Sequence, residues 1–95
     1  MFYINVLLTV KNEDDVPEVR KLLAEVACLS RQEPACLRMD IYHSRADTRR
    51  FILCEHWADK AGWESHRNEP AFSEVYGPQV LPLVDREPHL SDLVA

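Results

Sequence analysis

Three side chains in the middle of the chain have the chemistry of a reactive pocket wall: Glu55, Trp57 and His66. Glu55 and Trp57 are two residues apart in a predicted strand, so both point to the same face. His66 follows three residues after Trp63 on a predicted helix, where an imidazole could transfer protons near neutral pH. The alternative is structural: Glu55 is buried and paired, Trp57 fills the core, and His66 ends a helix, where it caps backbone carbonyls or pairs with Glu69.

Two further polar residues extend this candidate site. Asn5 interrupts an apolar strand, and its carboxamide could hold a substrate oxygen or bond a neighbouring side chain. His43 ends another strand and is a candidate substrate-binding residue. Glu55 and His56 are adjacent in one strand and therefore point to opposite faces. Because the chain also has no His-x-His or His-x-x-x-His pair, we predict no metal site.

A cluster of arginines lies in the polar segment between two predicted strands, at Arg45, Arg49 and Arg50. Such a cluster is usually a solvated loop. It could instead clamp the carboxylate or phosphate of a small substrate. Both interpretations stay open at this point.

Hydrophobic periodicity predicts the elements that position these residues. Alternation of apolar residues indicates strands, and a stripe with helical spacing indicates the first helix. The second helical region is interrupted at Gly77–Pro78, and the last strand has the weakest pattern. The predicted strands are Phe2–Val10, Cys36–His43, Arg49–Trp57 and Arg86–Val94. The predicted helices run from Asn12–Asp15 to about Gln32, from Asp59 to about Arg67, and from Pro70 through Phe72, Val75 and Tyr76.

This order is β-α-β-β-α-β, the ferredoxin-like motif of an α+β fold with an antiparallel sheet and helices on one face. The chain has 95 residues and should form a single domain over residues 1–95. A domain this small is marginally stable alone. Because the first strand is also apolar on both faces, we expect a homodimer.

Composition excludes several classes of protein. A net charge of −5 without a basic patch argues against nucleic-acid binding. The longest apolar run is far shorter than the ~20 residues of a membrane span, and we find no signal peptide. Cys28, Cys36 and Cys54 are odd in number and lack CxxC spacing, so we expect neither disulfides nor zinc. A reducing, cytoplasmic location fits these features.

The segment from Phe51 to Phe72 carries a more specific pattern. It contains a hydrophobic strand ending in Glu-x-Trp, an Asp-led helix, a His nine residues after the Trp, and Pro-x-Phe. Upstream, Glu33-Pro-Ala-Cys-Leu-Arg-Met39 resembles a second pattern, with Ala35 where glycine is usual. Together they resemble the antibiotic biosynthesis monooxygenase family.

The resemblance implies a ferredoxin-like fold, a dimer with sheets packed face to face (a dimeric α+β barrel), and a ligand cavity between sheet and helices. Members of the family include cofactor-independent oxygenases of quinols and phenols, isomerases of small phosphorylated carbonyl compounds, and haem-degrading enzymes. By resemblance, Trp57 and His66 match the family's pocket tryptophan and histidine. Asn5 matches an asparagine of the haem-degrading members.

We therefore expect a monooxygenase that uses no cofactor and acts on a small aromatic or quinol substrate. In this hypothesis His66 or Glu55 is the base and Asn5 orients an oxygen. The residues predicted to contact the substrate are Trp57, Trp63, Phe72, Tyr76 and His43. The alternatives are an isomerase, which would use the same base and the arginine-rich turn, and a non-catalytic dimer that binds small molecules.

Overall fold

The computed structural model describes all 95 residues, Met1–Ala95. Four strands, β1 (Phe2–Val10), β2 (Cys36–His43), β3 (Arg50–Trp57) and β4 (Val84–Ser91), form one antiparallel sheet in the order β2-β3-β1-β4. The predicted α+β, ferredoxin-like architecture is confirmed, and the helices cover one face of the sheet. None of the helices combines the length and the apolar character that a membrane span requires.

Helix α1 (Val16–Ser30) begins as its sequence predicts. The Asn12 side chain accepts a hydrogen bond from the Asp14 backbone N–H in the short 3₁₀ turn Glu13–Asp15, and Pro17 occupies the first turn of α1. The helix ends two residues before the predicted Gln32. Its apolar stripe, which includes Val19, Leu22, Leu23, Val26 and Ala27, is buried against the sheet.

The region after β3 is more irregular than its sequence predicts. Asp59 caps the short helix α2 (Lys60–Ser65) by accepting from the Gly62 N–H at 2.7 Å, and a 3₁₀ turn (His66–Asn68) follows. The segment Ala71–Val80 is a π-helix, and a 3₁₀ turn (Leu81–Leu83) connects it to β4. Pro78 lies inside this π-helix and has no N–H to donate. The Gln79 side chain donates to the Glu74 carbonyl at 2.9 Å.

The bounds predicted for the last strand were wrong. β4 covers Val84–Ser91 rather than Arg86–Val94, because its pairing with β1 begins at Val10 opposite Val84 and ends at Tyr3 opposite Ser91. The shift matters for the site: Arg86 lies opposite Leu8, on the face of the sheet that the helices cover.

The core lies between the sheet and the helices. On β1 the side chains Ile4, Val6, Leu8 and Val10 are buried, whereas the alternate residues are only half-buried. The expectation that both faces of β1 are covered is therefore met on one face within the protomer. On β3 the buried face carries Glu55 and Trp57, as the alternation predicts.

Candidate active site

A cavity of about 200 Å³ opens between β3, the region after it and β4. Five of the eight residues predicted to form the site meet there. The cavity is lined by Glu55, Trp63, His66, Arg67, Phe72, Tyr76, Leu81 and Arg86.

His66 is held by a carboxylate from the loop between α1 and β2. Its Nδ1 lies 2.8 Å from Oε2 of Glu33, and both side chains are less than a tenth exposed. The expected structural partner of His66 was Glu69; the hydrogen-bonded partner is Glu33. Burial, together with the Glu69 carboxylate, raises the pKa of Glu33 to about 7. Burial also lowers the pKa of His66, although Glu55 and Glu69 oppose that shift.

The second ring nitrogen of His66 is available for chemistry. No side chain or backbone group forms a hydrogen bond with His66 Nε2. The nitrogen is also not fully buried, because the only fully buried side-chain polar atom without a partner is Ser30 Oγ. His66 Nε2 is therefore accessible, on a residue that lines the cavity.

Glu55 is buried beside the indole of Trp57. The Trp57 Nε1–H donates to Glu55 Oε1 at 3.1 Å, and Glu55 is 6% exposed. Burial is the main influence on Glu55 and raises its pKa, while the Trp57 hydrogen bond and nearby Arg86 act in the opposite direction. Trp57 itself is fully buried, with its ring 4.8 Å from that of His66. It supports the cavity from beneath and is not part of the lining.

Positive charge comes from two arginines that line the cavity. Arg86 Nε donates to the Tyr76 hydroxyl at 3.3 Å, and the Arg67 guanidinium lies 5.9 Å from the centre of the Trp63 ring. Burial raises the pKa of Tyr76 despite this contact with Arg86, which keeps the phenol un-ionised at neutral pH. Arg86 therefore retains a positive charge that can face an anion formed in the cavity.

Aromatic rings build the walls. Phe72 lies edge-on to His66, with ring centres 5.8 Å apart, and contacts Tyr76 at 5.5 Å. Trp63 stacks on Phe2 at 4.9 Å. A flat apolar ligand fits such walls because aromatic rings prefer offset or edge-to-face contacts.

The structure does not bring Asn5 or His43 to this cavity. Asn5 lies on the opposite face of the sheet from Glu55 and donates from Nδ2 to Ser91 Oγ at 3.1 Å. His43 lies at the far end of β2 and stacks on Phe51, with ring centres 4.1 Å apart. Asn5 points away from the cavity because side chains alternate between the two faces of a strand. His43 is too far along β2 to reach it.

The residues that sequence analysis missed are Glu33, Arg67 and Arg86. Glu33 is the first residue of the pattern Glu33–Met39, and its place directly before Pro34 indicated the end of the helix. Nothing in the sequence paired Glu33 with His66. Arg86 was assigned to a weak strand without a role. The described chain contains no group of three or more His, Cys, Asp or Glu residues placed to hold a metal, and all three cysteines are free.

Comparison with known proteins gives consistent results. The sequence model of the family described as "antibiotic biosynthesis monooxygenase" matches residues 1–76. No curated protein sequence matches significantly. A crystal structure of an antibiotic biosynthesis monooxygenase superposes with a TM-score of 0.90 at 25% identity, covering 100% of both chains.

Two other solved structures share the fold at lower identity. SnoaB, a cofactor-independent oxygenase from Streptomyces nogalater, gives a TM-score of 0.83 at 16% identity, covering 99% of this chain and 93% of its own. A conserved protein of unknown function from Bacteroides thetaiotaomicron, described as a possible oxidoreductase, gives 0.87 at 21%, covering 97% and 96%.

Proposed function

Since the chain belongs to the antibiotic biosynthesis monooxygenase family, we propose that it is a cofactor-independent monooxygenase of a small phenol or quinol. The cavity supports a substrate of modest size. Its volume of about 200 Å³ is below the ~300–1,000 Å³ of sites for drug-sized ligands. One or two fused aromatic rings match this space and its aromatic walls.

The observation that carries the proposal is the Glu33–His66 pair with an accessible Nε2. When Glu33 is ionised, it accepts the Nδ1–H of His66 and leaves a lone pair on Nε2. That nitrogen can then take the proton of a phenolic hydroxyl. The imidazolium that forms is stabilised by the Glu33 carboxylate, which is the role the acid plays in a Ser-His-Asp triad.

The product of this proton transfer is a phenolate, and Arg86 is placed to stabilise it. A guanidinium fixed before the reaction stabilises developing negative charge without having to reorganise. An ionised Glu55 would repel a second negative charge beside it. Because burial raises the pKa of Glu55, its carboxyl group is more readily protonated, and this favours an anion in the site.

The oxygen step then needs dioxygen as the co-reactant and the substrate as the reductant. Charge on the phenolate is shared with a ring carbon, which is a CH₂ carbon in the keto tautomer. That carbon transfers electrons to dioxygen and forms a C–O bond, and the peroxide anion takes back the proton held by His66. The resulting hydroperoxide loses water to leave a carbonyl. The CH₂ carbon gives up four electrons, while dioxygen yields one carbonyl oxygen and one water.

The test is oxygen uptake by the purified protein with a panel of quinols and naphthols. We expect uptake above the buffer rate with at least one of them, and a loss of about 10²–10⁴-fold in His66→Gln, the usual contribution of a general base. His89→Gln, on the exposed edge strand β4, is the matched control and should keep the wild-type rate. Buffer-level uptake across the panel, or full activity of His66→Gln, would refute the proposal.

The isomerase alternative would use His66 as the same base, but two of the turn arginines expected to bind its anionic substrate have other partners. Arg49 donates to the backbone carbonyls of Val10 and Lys11 at 2.9 and 3.0 Å, and Arg50 pairs with Asp47. These turn arginines are therefore occupied, and Arg86 would have to bind the anion. Exchange of substrate C–H for solvent deuterium without oxygen uptake would identify this reaction.

We also propose that a second copy of the chain covers the outer face of the sheet. That face carries half-buried Tyr3, Leu7 and Ile52 in its centre, and the helices do not reach it. Light scattering at micromolar concentration should give twice the monomer mass of 11.0 kDa. A monomer mass would contradict this proposal and leave the reaction proposal intact.

A further inference from the structure

A second cavity, distinct from the candidate active site, lies beside α1. It is a groove of about 310 Å³ between α1 and the edge strand β2, and none of its residues lines the first cavity. The groove is lined by Arg20, Leu23, Ala24, Ala27, Arg31, Ile41, His43 and Phe51. We propose that this groove binds an organic anion: a carboxylate with an apolar body.

The groove has one unpaired positive charge. Arg20 Nη1 lies 2.9 Å from His43 Nδ1, and no carboxylate lies within 4 Å of the Arg20 side-chain nitrogens. Since a guanidinium can only donate, His43 accepts at Nδ1 and donates from Nε2 to the Thr48 carbonyl at 2.7 Å. His43 therefore orients Arg20 without neutralising it, and the remaining N–H groups of Arg20 are free for an anion.

The opposite end of the groove is electrically different. Arg31 donates from Nε to the Met39 carbonyl at 3.1 Å and lies 3.7 Å from the Asp40 carboxylate, which also pairs with Arg38. Arg31 is therefore partly engaged by Asp40, whereas Arg20 has no carboxylate partner. A ligand with one anionic end would place that end at Arg20.

The floor between the two arginines is apolar. Leu23, Ala24 and Ala27 supply it from α1, and Ile41 supplies it from β2. The eleven positions from Arg20 to Arg31 correspond to roughly 16 Å of helix. Small alanine side chains at two of the α1 positions leave the groove open. Leu23 and Ala27 are already buried, so an elongated apolar body would cover the exposed parts of Ala24 and Ile41.

The probe for this site is octanoate, followed by amide chemical shifts of the ¹⁵N-labelled protein in its native oligomeric state. We expect shifts of the amides of α1 and β2 that line the groove, with octanol binding more weakly. Arg20→Gln should weaken octanoate binding about tenfold or more, since it removes a charge-assisted hydrogen bond. Arg45→Gln, in the exposed turn after β2, is the matched control and should bind octanoate like the wild type.

A second variant keeps the charge and fills the space. Ala24→Leu adds bulk at an exposed, helix-compatible position, and it should weaken octanoate and octanol alike. Three results would each overturn the proposal. They are chemical-shift changes confined to residues around His66, equal affinity for octanol and octanoate, and a loss of octanoate affinity in Arg45→Gln as large as that in Arg20→Gln. The first of these would place the ligand in the candidate active site instead.

Discussion

Replacing Gly62 with alanine tests how closely the segments that carry Glu33 and His66 are packed together. An ideal Cβ on Gly62 would lie 2.4 Å from the Cβ of Ala35 and 3.2 Å from Asp59 Oδ1. Carbon atoms in contact prefer about 3.5–4.0 Å. Both methyl carbons are fixed to the backbone, so neither can rotate away, and α2 or the loop before β2 must move by about 1 Å.

The size of the effect follows from two opposing contributions. Overpacking of this kind costs about 1–3 kcal/mol, while alanine stabilises a helix by about 0.5–1 kcal/mol relative to glycine. The clash exceeds the gain, so Gly62→Ala should lower the free energy of unfolding by about 1–2 kcal/mol. In the double variant with Ala35→Gly the clash is absent, and the interaction energy between the two substitutions should be about 1–3 kcal/mol.

Urea unfolding of the wild type, both single variants and the double variant measures that energy. We expect a lower urea midpoint for Gly62→Ala at an unchanged m-value. The double variant should be more stable than the sum of the two single-variant effects predicts. Additive effects of the two substitutions would refute the packing argument. So would a Gly62→Ala variant that is more stable than the wild type, because helix propensity would then outweigh the contact with Ala35.

The remaining predictions concern ionisation. With a substrate identified, the rate should rise as pH increases through about 7, because Glu33 must lose its proton before it can accept the Nδ1–H of His66. In Glu33→Gln this inflection should disappear and the rate should fall about 10–100-fold, since the imidazolium loses a charged hydrogen-bond partner; an unchanged pH profile would contradict the assignment. NMR titration of His66 in Glu33→Gln should give a lower pKa than in the wild type, while the exposed-site control Glu25→Gln should leave it unchanged. Trp57→Phe should raise the pKa of Glu55 in a carboxyl ¹³C titration, because the Trp57 N–H stabilises the ionised form; a lower pKa would show that the indole does not have this role.

Local periodicity was sufficient to determine the first three strands and the faces of their side chains. Phe2–Val10 and Cys36–His43 have the predicted bounds, and Glu55 and Trp57 share the buried face of β3. Such features depend on neighbours two to four residues away, which the sequence contains directly. The same local rule places Asn5 and Ile4 on opposite faces of β1. Because Ile4 pairs with Glu55, Asn5 lies on the face of the sheet away from the cavity.

The candidate site depends on contacts between residues distant in the chain. His66 lies 33 positions from Glu33, and the two meet because α2 folds back onto the loop before β2, where Gly62 lies against Ala35. Arg86 reaches the cavity because β4 pairs with β1, in a register that no local pattern specifies. The sequence by itself therefore determined the order of the main elements, the fold class and the apolar faces, but neither the bounds of β4 nor the π-helix. Only the tertiary structure decided which carboxylate orients His66 and which cation lines the same cavity, because those choices depend on chain reversals and strand register.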